Sequence, residues 1–228
     1  TSGNAECRID SIAQSWAVLS GAADAQRARA AMDAVDAQLV RRDAALIQLL
    51  DPPFEHSNPN PGYVQGYVRG VRENGGQYTH AAVWVAMAFA ALGDAERAWE
   101  MFTLLDPTRH ARTADGVDRY KTEPYVMAGD VYAVAPHAGR GGWSWYTGAA
   151  GWMVQFILES LLGLKVEADT LQMTPCMPAH WASFQVHYRY RHTPYHIAVR
   201  QTPGKAGLAS IKLDGAALPG PVIPLRDD

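Results

Sequence analysis

Cysteine is scarce in this 228-residue chain: only Cys7 and Cys176 are present. They lie far apart in the sequence and form neither a Cys-x-x-Cys pair nor a spacing typical of a zinc site. This scarcity excludes a disulfide framework and gives no reason to expect a metal. One disulfide between the two cysteines stays open, but two isolated thiols are more typical of a reducing compartment.

The chain also lacks an excess of basic charge and a long apolar run. Its formal net charge is −3 at pH 7, so nucleic acid is not an expected partner. No uninterrupted apolar segment reaches the roughly 18 residues of a membrane helix, and no secretory signal peptide is recognisable. We therefore expect this chain to be soluble. Three catalytic signatures, Gly-x-Ser-x-Gly, His-Glu-x-x-His and the P-loop, are absent as well.

Hydrophobic residues are abundant, at 48% of the chain against 19% charged, which is typical of a folded globular protein. Helical periodicity up to about Gly163 and strand-like alternation after it predict an α+β fold. The predicted helices are Ile9–Leu19, Ala25–Val40, Thr79–Leu92, Asp94–Leu105 (with Asp94 as the cap), Tyr125–Val134 and Tyr146–Leu164. The predicted strands lie in Lys165–Met173, Phe184–Tyr190, His196–Arg200 and Ile211–Leu213.

The segment 139–152 is rich in aromatic residues and glycine: Gly-Arg-Gly-Gly-Trp-Ser-Trp-Tyr-Thr-Gly-Ala-Ala-Gly-Trp. Flat aromatic faces can stack on sugar rings, and glycines let a backbone turn approach a ligand because they carry no Cβ. Thr147 and Gly148 stand where the segment is predicted to become a helix, whose N-terminal N–H groups favour a phosphate. The segment therefore indicates a site for a sugar and an anion. A tight loop with aromatic core packing is the structural alternative.

A second polar segment, 71–80, precedes the third predicted helix. His80 would stand in the first turn of that helix, where its imidazole can donate to a phosphate oxygen and a bound dianion would favour its protonated form. Arg72 and Glu73 could bind sugar hydroxyls, with the guanidinium donating and the carboxylate accepting. The structural alternatives are a capping or core His80 and a surface pair of Arg72 and Glu73.

Two carboxylates, Glu123 and Asp130, lie close together in the sequence. Glycoside hydrolysis uses two carboxyl groups that flank the scissile bond, so a hydrolase built on this pair is one alternative. Sequence spacing does not place the two groups in space, and a structural role for Glu123 before Pro124 is equally open.

Four stretches of the chain carry a family resemblance: Ile9-Asp10-Ser11-Ile12-Ala13-Gln14-Ser15-Trp16, Arg72-Glu73-Asn74-Gly75-Gly76 with His80, Glu123-Pro124-Tyr125-Val126, and Gly141-Gly142-Trp143-Ser144-Trp145-Tyr146-Thr147-Gly148. Together they resemble the inverting β-glycoside phosphorylases of glycoside hydrolase family 94. The resemblance covers about residues 8–190 in the family's order. It is stronger to the C-terminal phosphorylase-like region of cyclic β-1,2-glucan synthases than to cellobiose and chitobiose phosphorylases.

The resemblance implies a fold and a set of ligands. Residues 1–164 would form the C-terminal part of an (α/α)6 barrel, built of helical hairpins, and residues 165–228 a small antiparallel β-sandwich of jelly-roll type. Inorganic phosphate is the implied co-substrate, and no other cofactor and no metal is implied. The implied phosphate-binding residues are His80, Thr147 and Gly148. The implied residues for the acceptor sugar are Tyr67, Arg72 and Glu73.

One departure from the family is as informative as the match. The family's general acid is an aspartate in an upstream Gly-Asp-Trp-Asn-Asp-Gly-like motif, which this chain lacks. We therefore expect the C-terminal part of a phosphorylase or glycosyltransferase, inactive alone, with a β-glucan oligosaccharide, phosphate and the N-terminal portion of the catalytic unit as partners. A non-catalytic carbohydrate-binding or assembly module is the alternative. Helical faces without their barrel neighbours favour a homodimer. The resemblance also implies a bacterial parent, inner-membrane-associated or cytoplasmic.

Overall fold

The computed structural model describes residues 4–145, 147–202 and 210–227. Helices dominate up to Leu161, with two-residue strands between them, and small antiparallel sheets of longer strands follow, so the predicted α+β class is confirmed. The helices are α1 (Ser11–Leu19), α2 (Ala25–Leu39), α3 (Thr79–Ala91), α4 (Ala95–Leu105), α5 (Pro107–His110), α6 (Ala114–Tyr120) and α7 (Thr147–Gln155), with a 3₁₀ turn at Gly62–Gly66 and a π-helical segment at Phe156–Leu161. The strands are β1 (Ile9–Asp10), β2 (Val40–Arg41), β3 (Leu46–Ile47), β4 (Leu50–Asp51), β5 (Gln77–Tyr78), β6 (Asp130–Val131), β7 (Leu164–Glu167), β8 (Thr170–Met173), β9 (Ser183–Tyr190), β10 (Thr193–Arg200), β11 (Ile211–Leu213), β12 (Ala216–Leu218) and β13 (Val222–Pro224).

Aspartate caps fix the start of three predicted helices. Oδ1 of Asp10 accepts the backbone N–H groups of Ile12 and Ala13, at 2.8 and 3.0 Å, and so satisfies two of the donors that a helix start leaves unpaired. Asp24 and Asp94 cap α2 and α4 in the same way. Helices α1 to α4 agree with the prediction to within two residues at each end.

Helix α3 lies at the centre of the helical core. Its sequence is apolar on nearly every side, and it packs against α1, α4 and α7. Val83 in α3, Met101 in α4 and Phe156 after α7 are fully buried in the same cluster. Truncation of such side chains costs about 2–5 kcal/mol each. This packing therefore holds the beginning of α3, and with it His80, in a fixed place.

The predicted helix Tyr125–Val134 is wrong. In this segment, regular structure is limited to the strand β6, which pairs with β5 and forms a further bridge from Val131 to Gly141. Gly129 and the nearby Pro136 disfavour a helix, and the backbone N–H of Tyr132 donates to the carbonyl of Arg140 instead of to a helical turn. Pairing with distant segments thus overrides the local apolar pattern. The short helices α5 and α6 were not predicted.

The last predicted helix, Tyr146–Leu164, is present but shorter. Tyr146 itself lies outside the described residues, α7 begins at Thr147, and the π-helical segment ends at Leu161. Gly163 then turns the chain with φ +74°, and a Cβ at this position would lie 2.2 Å from the carbonyl carbon of Thr174. Only glycine therefore allows the helical region to end so close to the segment that follows β8.

All four predicted strand regions contain strands. β8 lies between β7 and β13, and β9 pairs with β10 in antiparallel register over eight residues of each strand. β11 and β12 form a further antiparallel pair. Leu171, Met173 and Ile223 form a second small core, against which the inward side chains of β9 and β10 pack.

Candidate functional site

The strand β6 brings two separate sequence segments together. On one edge it pairs with β5, which leads directly into α3. On the other edge, the N–H of Gly142 donates to the carbonyl of Asp130 at 2.9 Å, and the N–H of Gly129 donates to the carbonyl of Trp143 at 2.5 Å. The polar turn before α3 and the aromatic loop 139–145 are therefore held side by side by backbone hydrogen bonds.

Arg72 lies between two aromatic rings. Its guanidinium carbon is 5.5 Å from the ring centroid of Tyr67 and 5.1 Å from that of Trp143, both within cation–π range. Its Nε is 3.4 Å from Oε2 of Glu73. The pKa of Arg72 is raised: burial acts to lower it, but the charges of Glu73 and Asp130 outweigh that effect. Tyr67, Arg72 and Glu73, predicted to bind the acceptor sugar, thus form one cluster with Trp143.

A fully buried asparagine that was not predicted as a site residue, Asn74, holds this cluster in place. Oδ1 of Asn74 accepts the N–H of Phe54 at 2.7 Å. Its Nδ2 donates to the carbonyls of Phe54 and Tyr67, both at 2.9 Å. The only sequence signal was a polar residue followed by Gly-Gly, which is typical of a turn and does not specify long-range partners.

Two buried glutamines hold the same segment from the other side. Oε1 of Gln77 accepts the N–H of Ile47 at 2.9 Å, and Nε2 of Gln48 donates to the carbonyl of Gly75 at 2.9 Å. Because buried polar groups are costly without partners, these bonds indicate a turn of one defined conformation. Arg72 accordingly adopts a left-handed backbone conformation, with φ 51°.

Glu6 anchors the proline-rich loop 52–61, which lies before Tyr67, by hydrogen bonds. The Glu6 carboxylate accepts the N–H groups of Glu55 and His56, each at 2.9 Å, and the hydroxyl of Ser57 at 2.6 Å. These three hydrogen bonds lower the pKa of Glu6 to about 2, and the bond from Ser57 has the largest effect. The loop is therefore anchored at neutral pH although its sequence predicts no regular structure.

His80 lies in the first turn of α3, as predicted. Its half-buried ring contacts Tyr78 and Trp84 edge to face, with centroid distances of 4.5 and 4.8 Å. Burial lowers the pKa of His80, and the nearby charge of Glu73 acts in the opposite direction. The imidazole is thus mainly neutral at pH 7, and a neutral imidazole can still donate one N–H.

Thr147 and Gly148 are exposed at the beginning of α7, where their backbone N–H groups have no preceding helical turn to bond. A Cβ at Gly148 would meet no described atom within 4 Å, so the space in front of this backbone is open. Trp84 in α3 contacts Trp152 in α7 at 5.4 Å, which joins the two helices. Among the described residues, no hydrogen bond links His80 directly to Thr147 or Gly148.

Glu123 holds an exposed tryptophan. The indole N–H of Trp145 donates to Oε1 of Glu123 at 2.9 Å, and this hydrogen bond is the main reason why the pKa of Glu123 is lowered. Trp145 is 66% exposed, and its φ of 63° is unusual for a residue other than glycine. Its ring is therefore held at the surface of the loop by a specific bond.

The carboxylate of Asp130, in contrast, is buried beneath the aromatic loop. Its Oδ1 accepts the N–H of Trp143 at 2.9 Å, and a Cβ on Gly142 would lie 2.6 Å from the same oxygen. Burial raises its pKa, against the lowering effects of the Trp143 N–H and the Arg72 charge. A sugar cannot reach this group in the present arrangement. The alternative of a hydrolase that uses Glu123 and Asp130 is therefore unsupported.

The two cysteines are unpaired, and neither is an activated nucleophile. Burial raises the pKa of the Cys176 thiol to about 11 and also raises that of Cys7. Within the described ranges, no three His, Cys, Asp or Glu side chains are grouped as metal ligands would be. No helix among the described residues has the length and apolarity to cross a lipid bilayer.

Comparison with known proteins identifies the family of this chain. Residues 1–163 match the family described as Glycosyl hydrolase 94 superfamily, catalytic domain. The match covers well over half of the chain, and the chain therefore belongs to glycoside hydrolase family 94, as the sequence resemblance predicted. The catalytic domain of this family is an (α/α)6 barrel.

Individual relatives include a synthase and several phosphorylases. The chain is 48% identical over 196 residues to the cyclic beta-(1,2)-glucan synthase NdvB of Rhizobium meliloti, which covers 86% of this chain and 7% of the synthase. It is 30% identical to the solabiose phosphorylase of Paenibacillus borealis and 33% identical to the N,N'-diacetylchitobiose phosphorylase of Vibrio furnissii, over 94% and 93% of this chain. The matches span 28% and 26% of those phosphorylases. The chain thus corresponds to a small part of each relative.

Proposed function

We propose that this chain supplies the phosphate-binding and acceptor-binding side of a family 94 catalytic centre that acts on β-linked gluco-oligosaccharides. The observation that carries the proposal is the pairing through β6, which places the turn with Arg72 and Glu73 beside the aromatic loop. Membership of the family and the names of the relatives, a glucan synthase and disaccharide phosphorylases, support the same substrate class.

In the proposed reaction, a phosphate oxygen attacks C1 of a β-glucosyl unit with inversion while the glycosidic C1–O bond breaks. A carboxylic acid donates a proton to the leaving oxygen, and phosphate needs no second carboxylate as a base because it is already an anionic nucleophile. Three donors hold the phosphate: the His80 imidazole, the Thr147 hydroxyl and the backbone N–H groups at Gly148. Such charge-assisted hydrogen bonds fix both position and orientation.

The acceptor sugar is bound by Tyr67, Arg72 and Glu73. The guanidinium of Arg72 and the carboxylate of Glu73, 3.4 Å apart, offer a donor and an acceptor to neighbouring sugar hydroxyls. The rings of Tyr67 and Trp143 limit where the guanidinium can move. We infer that the general acid belongs to the N-terminal portion of the catalytic unit, since Asp130 is buried and Glu123 is bonded to Trp145.

This proposal also assigns the two parts of the chain to structural units. Residues 1–164 are the C-terminal part of an (α/α)6 barrel and residues 165–228 a β domain of jelly-roll type. Val154 and Leu158 are 55% and 44% exposed, and we propose that they pack against the rest of the barrel, or against a second copy of this chain when the rest is absent. Size-exclusion chromatography with light scattering tests whether two copies of this chain associate. A chain that stays monomeric at high concentration contradicts this association.

Activity measurements test the proposal. The chain alone is expected to release no detectable glucose 1-phosphate from β-linked gluco-oligosaccharides and phosphate, because general acid catalysis contributes about 10²–10⁴ in rate. When this chain forms part of a complete catalytic unit, His80→Ala and Thr147→Ala should lower the rate mainly by raising the KM for phosphate. The exposed His180→Ala is the matched control. Robust turnover by the chain alone contradicts the proposal.

A non-catalytic carbohydrate-binding module is the second candidate, and one observation favours it. Tyr63, Tyr125, Trp143 and Trp145 are each more than half exposed, as aromatic sugar-binding platforms are. Such a module requires neither His80 nor phosphate. Sugar affinity that is independent of phosphate, together with an unchanged phosphate KM in the His80→Ala catalytic unit, would favour this candidate.

A further inference from the structure

Asp130 is the only acidic side chain among the described residues that is less than a tenth exposed, at 1%. Removal of a carboxylate from water is costly unless hydrogen bonds and opposite charges compensate for it. The proposed reaction uses no group at this position. The location of Asp130 in β6, between the two site segments, suggests a different role.

The Asp130 carboxylate is bonded to the aromatic loop on one side. Oδ1 accepts the backbone N–H of Trp143 at 2.9 Å. A Cβ on Gly142 would lie 2.6 and 2.7 Å from the two carboxylate oxygens, so the loop can close over Asp130 only with glycine at that position. Oδ2 is also buried and accepts no hydrogen bond of ordinary geometry.

On its other side, Asp130 acts on the acceptor turn. Arg72 is the cation whose charge interacts with it. Glu73 and Tyr78 face it from the turn and from β5, and the ring of Tyr132 lies beside Gly142, which covers the carboxylate. The charge of Asp130 in turn favours the guanidinium form of Arg72. Asp130 therefore attracts Arg72, whose guanidinium lies over the rings of Tyr67 and Trp143.

We propose that Asp130 is a positioning residue, which holds Trp143 by a hydrogen bond and Arg72 by charge, so that the aromatic loop and the acceptor turn form one sugar-binding surface. This role rests on the proposed function of the acceptor residues. Asp130 itself does not touch the sugar. Its effect on binding passes through Trp143 and Arg72.

The variant Asp130→Asn distinguishes a positioning role of Asp130 from a general contribution to stability. The asparagine keeps an oxygen for the Trp143 N–H but removes the buried charge. We expect an unfolding temperature at pH 7 that is equal to or above that of the wild type, together with an affinity for a β-linked glucose disaccharide, measured by calorimetry, about tenfold weaker. Asp36→Asn, which breaks ion pairs with Arg42 and Arg97 away from the site, should lower the unfolding temperature and leave the sugar affinity unchanged.

The pH dependence of the unfolding temperature and of the Trp143 resonance adds a readout that a purely structural role does not predict. Because the pKa of Asp130 is raised in the folded state, folding is favoured as the pH falls through that pKa. The advantage in unfolding temperature of Asp130→Asn should therefore shrink as the pH falls towards about 4, the usual pKa of aspartate. The backbone amide resonance of Trp143, whose N–H donates to Asp130, should titrate in the wild type and not in Asp130→Asn.

These measurements distinguish failure of the positioning role from failure of the proposed function. If the wild-type chain binds no disaccharide, the proposed acceptor site fails, and the Trp143 resonance alone decides the role of Asp130. A Trp143 resonance that titrates equally in wild type and Asp130→Asn overturns the positioning role. Unchanged sugar affinity in Asp130→Asn, or affinity lost only in proportion to stability, overturns it as well.

Discussion

The side-chain amide of Asn74 donates to the carbonyl of Tyr67, seven positions earlier in the chain, at 2.9 Å. The same side chain also makes two hydrogen bonds to the backbone of Phe54. One buried asparagine therefore fixes both the loop before Tyr67 and the turn that carries Arg72. The conformation of the acceptor cluster depends on this residue, although Asn74 is fully buried and points no group into solvent.

Asn74→Ala should lower the free energy of unfolding by about 2–3 kcal/mol, because three hydrogen bonds are lost and buried backbone groups are left unsatisfied. Urea denaturation of the chain measures this change. Asn60→Ala is the matched control, since Asn60 makes one exposed bond to the N–H of Gly62, and it should cost less than about 1 kcal/mol. Equal effects of the two variants contradict the role of Asn74.

Gly148→Ala tests whether phosphate approaches the start of α7. The new Cβ meets no described atom within 4 Å, so the variant should fold with unchanged or slightly raised stability. If phosphate sits against this backbone, the methyl group should weaken phosphate binding about tenfold or more, as measured by calorimetry. Gly151→Ala, in the same helix and equally unobstructed, should leave phosphate affinity unchanged. Equal phosphate affinity in both variants argues against the site.

Phosphate binding should take up a proton through His80. Burial lowers the pKa of His80 in the free chain, and a bound dianion raises it, so binding becomes tighter as the pH falls through the raised value. Calorimetry in buffers of different ionisation enthalpy counts the protons taken up. Because phosphate also titrates near neutrality, the comparison is with His80→Asn, which should show a smaller uptake. Identical proton uptake in both proteins places His80 outside the phosphate site.

Trp145 should report the ionisation of Glu123. The lowered pKa of Glu123 means that its bond to the indole N–H is present above that value and is lost when the carboxylate is protonated. The indole resonance of Trp145 should thus change only at a pH below the usual range of glutamate. Glu123→Gln should remove this transition. Glu159→Gln, whose carboxylate accepts from the side chain of Gln155, should not. A transition that survives Glu123→Gln contradicts the assignment.

Local signals made much of the fold predictable. Asp24 and Asp94 are good helix caps and lie directly before helix-forming runs, so both starts followed from the sequence. The alternation in β9 and β10 likewise predicted strands, because each has one face towards the second core. These features depend on neighbours within a few residues.

The pairing that builds the site could not be predicted in this way. Asp130 and Val131 lie in an apolar stretch that suggests a helix, and only the distant partners Tyr78 and Gly141 make it a strand. The roles of Asn74 and Gln77 also depend on segments 20 and 30 residues away. The residue pattern already suggested Arg72 and His80, but each alone would equally fit a surface or a core position. The family resemblance favoured a binding role and added Tyr67.

A phosphate titration of this chain, monitored by calorimetry, tests whether it binds phosphate through the proposed residues. The variants are His80→Ala, Thr147→Ala and the control His180→Ala. We predict saturable phosphate binding by the wild type and the control, weakened about tenfold or more in each of the other two variants. Phosphate binding of equal strength in all four proteins, or none in the correctly folded wild type, would contradict this prediction.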